Sequence, residues 1–97
     1  MMLEKTKIIT LQTPLESAGG KLVYTELELK EPVLVQAEQF YERREQKGAL
    51  NAMRLLISLV SGVPETPLAN MQFTDYKRCE AYMLGFLGFD PSTDGNN

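Results

Sequence analysis

From Val23 to Lys30 the chain alternates without a break. Val23, Thr25, Leu27 and Leu29 point one way; Tyr24, Glu26, Glu28 and Lys30 point the other. This period of two marks a half-buried strand with one wet face. A second, shorter run, Lys7-Ile8-Ile9-Thr10-Leu11, is rich in β-branched residues. It is expected to end before Thr13-Pro14, where proline lacks the donor that a ladder needs. Between the two runs, Ser17-Ala18-Gly19-Gly20-Lys21 supplies turn residues, which makes an antiparallel hairpin the economical reading. An isolated two-stranded hairpin is only marginally stable in water. Its apolar face must therefore rest on helices, and its free edges stay open to another chain.

The helices follow from residue 32 onward. Glu31-Pro32 suits a first helical turn, where a missing N–H costs nothing. Val33, Ala37, Phe40, Tyr41 and Arg44 then recur on one face, with Glu38, Glu42, Arg43, Glu45 and Lys47 on the solvated side. Gly48 ends or kinks this helix. From Ala49 to Ser61, Ala49, Met53, Leu56 and Val60 form one stripe and Ala52, Leu55 and Leu59 a second beside it. A helix apolar around most of its girth is central and covered on more than one side. Gly62 stops it, and Pro64 and Pro67 limit the next segment to a turn or a single helical turn. Thr74 offers an N-cap for a last helix, with Asp75 in its first turn. Tyr76, Cys79, Met83 and Phe86 line one face of that helix, and Gly88 ends it. The expected fold class is α+β, an N-terminal antiparallel β-hairpin packed on a small bundle of about three main α-helices. Val23, Leu27 and Leu29 are expected to face Leu56, Leu59 or Val60. Residues 7–89 make one domain, and residues 1–6 and the polar stretch 90–97 are read as flexible termini.

Chemistry narrows by elimination. The chain has no His and a single Cys, Cys79, which removes the commonest general base and leaves no internal disulfide or Cys-based metal cluster. Glu26/Glu28 and Glu42/Glu45 sit on wet faces rather than in a tuned, buried pair. Gly19-Gly20 lacks the spacing and the following Lys of a phosphate loop. Cys79 reads as a small buried hydrophobe. Neither an enzyme nor a cofactor is expected. Ten Lys+Arg against thirteen Asp+Glu give a net charge of −3 and a pI near 4.9, which argues against nucleic acid as the main ligand. The longest apolar run, Leu55 to Val60, is far below a membrane span, and the charged N-terminus lacks the marks of a signal peptide, so a cytosolic protein is expected.

What remains is a surplus of apolar residues. Tyr82-Met83-Leu84-Gly85-Phe86-Leu87-Gly88-Phe89 is apolar all round if helical. It reads either as core or, in part, as a partner-facing patch, because a chain of 97 residues struggles to cover every side of such a helix. Tyr76, Cys79, Met83 and Phe86 suffice for one buried stripe. Tyr82 and Phe89, seven residues apart, then lie on a neighbouring face where a partner helix can meet them. Tyr82, Met83, Phe86 and Phe89 are accordingly the expected partner-binding residues.

The order of several short motifs resembles a known family. Ile9-Thr10-Leu11-Gln12-Thr13-Pro14-Leu15, then Gly19-Gly20, then Thr25-Glu26-Leu27-Glu28-Leu29-Lys30-Glu31-Pro32, is similar to the N-terminal half of the small tail assembly chaperones of Mu-like and P2-like contractile-tailed phages. Leu59-Val60-Ser61-Gly62-Val63-Pro64, Met71-Gln72-Phe73-Thr74-Asp75-Tyr76 and Gly85-Phe86-Leu87-Gly88 continue the likeness, which spans roughly residues 7–88. There is one departure. After the Glu-Pro step that family has a small residue and then Gly-Asp-Leu, whereas Val33-Leu34-Val35-Gln36-Ala37 stands here. The resemblance implies a non-catalytic role in tail morphogenesis. Such a protein binds the tape measure protein, keeps it soluble and recruits tail tube subunits in the host cytoplasm, without remaining in the virion. Self-association into a dimer or larger assembly is expected from the open hairpin edges and the apolar last helix. The alternatives are a small structural tail or baseplate protein and an acidic regulatory binding module.

Overall fold

The computed structural model describes residues 5–91. The expected flexible termini fall largely on 1–4 and 92–97, outside the described residues. Strand β1 (Thr6–Glu16) and strand β2 (Val23–Lys30) form a two-stranded antiparallel sheet, with Lys7 opposite Leu29 and Ile9 opposite Leu27. The hairpin and the helices of the α+β expectation are therefore present. The intervening turn is a short 3-10 segment, Ala18–Gly20, in which Gly19 takes φ +82°. Ser17 closes it: its N–H donates to the Leu22 carbonyl at 2.9 Å, and its Oγ accepts from the Leu22 N–H at 3.0 Å.

The first strand is longer than expected, and the reason is physical. Pairing stops after Thr10 opposite Glu26 and resumes at Leu15 opposite Tyr24. Leu11, Gln12, Thr13 and Pro14 thus stand against Thr25 alone, a wide bulge that holds Pro14 where no ladder bond is required. The bulge still has backbone donors to satisfy. Gln12 N–H donates to both oxygens of Asp75, at 3.1 and 3.0 Å, and Thr13 N–H to Oδ2 at 3.4 Å. Asp75 is fully buried; Arg78 Nη2 donates to its Oδ1 and also to the Thr10 carbonyl at 2.6 Å.

Helix α1 (Leu34–Lys47) starts at the N-cap Val33, so Pro32 precedes the helix instead of opening it. The Gln36 side chain reaches back and accepts from the Val33 N–H at 3.0 Å. The face of α1 also differs from expectation. Val33, Tyr41 and Arg44 are exposed, while Gln36, Ala37, Phe40 and Arg43 turn inward. Arg43 is drawn in by charge: it reaches Asn51 at 2.7 Å and Glu65 at 3.1 Å. Gly48, at φ +94°, both ends α1 and begins helix α2 (Ala49–Ser61), a one-residue link that few residues other than glycine tolerate.

Helix α2 is central. Ala52, Met53, Leu56, Ile57 and Val60 are buried, and α1, β2, the one-turn helix α3 (Glu65–Leu68) and helix α4 (Phe73–Leu87) all pack on it. Gly62 ends α2 in the left-handed region. The single turn expected between Pro64 and Pro67 is α3. Helix α4 begins one residue before Thr74, with Gln72 as N-cap, so the expected Thr74 cap is replaced. β1 lies against α4 and β2 against α2. Leu27 and Leu29 are fully buried in the same core as Leu56 and Val60. Val23, expected to face the helices, is 57% exposed; beyond the bulge it is Tyr24, opposite the buried Leu15, that packs on the core instead.

Asp75 generates a stability prediction. Burial pushes its carboxyl up, but the Gln12 N–H, Arg78 and the Thr13 N–H outweigh burial and hold it below the ordinary aspartate range. A carboxyl lowered on folding stabilises the fold above its unfolded value, and the contribution is lost as pH falls through the lower folded value. Asp75→Ala is expected to lower unfolding free energy by about 3 kcal/mol at neutral pH, since it strands two backbone donors and leaves Arg78 without its carboxylate. Asp75→Asn should flatten the loss of stability below about pH 4. Urea denaturation at neutral and acid pH checks both; an acid limb unchanged in Asp75→Asn would show that other carboxyls set it.

Candidate partner-binding surface

Helix α4 carries the residues on which function was expected to rest. Its inner face, Tyr76, Cys79 and Met83, is buried, with Phe86 half-buried beside it. Tyr82 and Phe86 meet edge to face, ring centroids 5.1 Å apart, and the Lys7 ammonium sits 6.0 Å from the centre of the Tyr82 ring. Phe89 follows the helix end; its N–H donates to the Phe86 carbonyl at 3.1 Å, and its side chain is 52% exposed. Of the four expected residues, Tyr82 and Phe86 are thus in contact, Phe89 stands near them in the open, and Met83 lies wholly inside the core.

Other apolar side chains are exposed that sequence reasoning did not single out as contacts. Phe73, at the first turn of α4, is 61% exposed and stacks on Tyr76 with centroids 5.6 Å apart. Lys77 lies over its other side, 5.8 Å from the ring centre. Phe73, Tyr76, Leu50, Leu68 and Met71 line a shallow groove of about 160 Å³ between α2, α3 and α4. At the start of α1, Val33, Leu34 and Val35 are all exposed, Leu34 by 76%. The signal for Leu50 was available, since it belongs to neither apolar stripe of α2. The signal for Leu34 was hidden by an expected helix face rotated from the real one.

The charged groups near these surfaces hold elements together. Glu65 of α3 accepts from Arg43 of α1 and from Arg54 of α2, at 3.1 and 3.3 Å. Partial burial raises its carboxyl, but Arg43 and then Arg54 outweigh that and hold it below the usual glutamate range. Glu80 is lowered chiefly by the Lys77 hydrogen bond, burial opposing, and it also accepts from the Tyr76 hydroxyl at 3.1 Å. Burial, with Glu80 alongside, pushes the Tyr76 hydroxyl well above the ordinary phenol range. Among the described residues, no group of three or more His, Cys, Asp or Glu could hold a metal ion, and no helix is long and apolar enough to cross a membrane.

The family model described as phage tail assembly chaperone proteins, E, or 41 or 14, matches residues 8–88. No curated protein and no solved structure matches the chain.

Cys79 provides a direct check on the packing of this helix. It is fully buried, and burial pushes its thiol up to about 11, Arg78 opposing and Asp75 adding. At neutral pH it is a protonated thiol shielded from solvent. A thiol reagent at pH 8 is expected to leave the native protein unlabelled and to label it fully in denaturant. Rapid labelling without denaturant would show that α4 opens.

Proposed function

This chain belongs to the family of phage tail assembly chaperone proteins, and from that membership we propose that it binds the tape measure protein, keeps it soluble and brings tail tube subunits to it. The observation that supports the reading is the number of large apolar side chains left exposed on so small a domain, among them Phe89, Phe73, Leu50 and Leu34. A tape measure rich in amphipathic helix would offer complementary apolar faces, and a helix laid in a groove is a recurrent way to cover them. The acidic balance of the chain keeps such a surface in solution until its client arrives.

The role so proposed is non-catalytic and needs no cofactor. It belongs to a single domain of residues 7–89 that self-associates and acts in the host cytoplasm. It makes no use of nucleic acid or membrane. A protein of this kind leaves before the tail is finished, so mass spectrometry of purified particles should find none of it; stoichiometric retention would favour a structural tail or baseplate component.

Tyr82, Phe86 and Phe89 are the proposed contacts; Met83, expected among them, is fully buried and would act only by supporting the helix from the core. Truncating an aromatic anchor commonly costs about 2 kcal/mol of binding, or roughly 30-fold. Phe89→Ala is expected to weaken co-purification with the tape measure protein by about that factor while leaving the melting temperature nearly unchanged, because the side chain is half in solvent. Tyr82→Ala is expected to do the same with a modest loss of stability, since its ring packs on Phe86. Lost stability with undiminished binding in both variants would assign these rings to the core alone.

A further inference from the structure

The two edges of the sheet are not equivalent. Thr10 turns its carbonyl away from β2, toward Arg78, and Gln12 turns its N–H toward Asp75. In an antiparallel ladder, residues directly opposite either exchange hydrogen bonds or both face outward, and the two kinds alternate. Thr10 is opposite Glu26, Ile8 opposite Glu28 and Thr6 opposite Lys30. The backbone groups of Glu26, Glu28 and Lys30 therefore line the outer edge of β2. Where the outer edge of β1 is clasped by α4, no hydrogen bond among the described residues occupies these β2 groups. All three side chains are exposed on the wet face. Beside the C-terminal end of this edge lies an open cavity of about 300 Å³, lined by Lys30, Glu31, Val33, Gln36 and Leu59 among others.

The charges along this edge read Glu26, Glu28, Lys30. We propose that β2 pairs antiparallel with β2 of a second copy about a twofold axis at Glu28, joining two hairpins into one four-stranded sheet. This inference rests on the self-association reading above and names its surface. The register is selected by charge and chain chemistry. With the axis at Glu28, Glu26 stands opposite Lys30 of the second copy at both ends, and Leu27 stands opposite the second copy's Leu29 on the core side. Moving the axis to Leu27 sets Glu26 against Glu28 twice, a like-charge arrangement that destabilises a sheet. Moving it to Leu29 sets Glu28 against Lys30 twice, but it pairs only residues 28–30 of the two strands and already puts Glu26 opposite Pro32, which has no N–H to donate. With the axis at Glu28, residues 26–30 pair throughout and Pro32 is met only at Tyr24. The chosen register keeps one like-charge contact, Glu28 against its own copy at the axis. That contact limits the strength of the pairing and suits a protein whose surfaces must later be given up to a client.

The test uses the full chain and sedimentation velocity from low to high micromolar concentration, with melting curves at the lowest concentration to confirm that each variant folds. Lys30→Glu should raise the dimer dissociation constant by about tenfold, since it turns two attractive pairs repulsive. Adding Glu26→Lys to it should restore the starting value, and Glu28→Gln alone should tighten the dimer. If the natural chain associates and Lys30→Glu changes nothing, the β2 edge is overturned as the interface while self-association stands. If restoration comes only from pairing Lys30→Glu with Glu28→Lys, the register about Glu28 is overturned. A natural chain that stays monomeric throughout overturns this proposal together with the self-association reading.

Discussion

A buried carboxylate joins the two halves of this chain. Asp75 has no exposed surface, yet each of its oxygens is used: the Gln12 and Thr13 N–H groups come from the hairpin, and Arg78 comes from the next turn of its own helix. Nothing else in the described residues would satisfy those donors, because the bulge removes them from the ladder. The bulge in turn is what lets β1 run past Pro14 and place Leu15 in the core beside α3. Hairpin and helices thus depend on one another. A two-stranded sheet too small to stand alone is fastened to α4 by a charge-assisted contact, which is stronger than a neutral hydrogen bond and costly to leave half made.

Around that fastening, α2 provides the apolar mass. Its neighbours cover nearly all of its girth, while α1 packs chiefly on α2 and leaves its far side to solvent. The Arg43–Glu65–Arg54 group ties α1 and α2 to α3 at partly exposed positions, where such contacts set geometry more than they add stability. The apolar residues that α2 cannot shelter, Leu34, Leu50, Phe73 and Phe89, are therefore a consequence of how small the core is.

Much of this architecture was legible in the residues. The alternation of β2, the glycine and proline stops and the all-round apolarity of α2 each reflect a local rule, and local rules survive folding. The departures arise where a distant partner decides. Pro14 argued for a strand end, but an aspartate 61 positions later made a long bulge tenable. Arg43 looked solvated because its partner Glu65 lies across two helices. Asp75 looked like a helix-dipole residue; nothing near it in sequence marked it as the acceptor for another element. Helical spacing placed Tyr82 and Phe86 close enough to touch, as they do, whereas spacing alone gave no measure of how far Met83 would sink.

The same carboxylate makes the two edges of the sheet unequal. Asp75 and Arg78 engage the outer edge of β1 at Thr10, Gln12 and Thr13, while the outer edge of β2 has no such clasp. Charged edges usually discourage strand addition. In the proposed pairing the order acid, acid, base along β2 meets its own reverse, so charges that discourage arbitrary strands would still accept a second copy. A chaperone has to present apolar surface without aggregating. On the proposed reading, the charged edge of β2 and the aromatic surface at the end of α4 would place self-recognition and client recognition on different elements of one small domain.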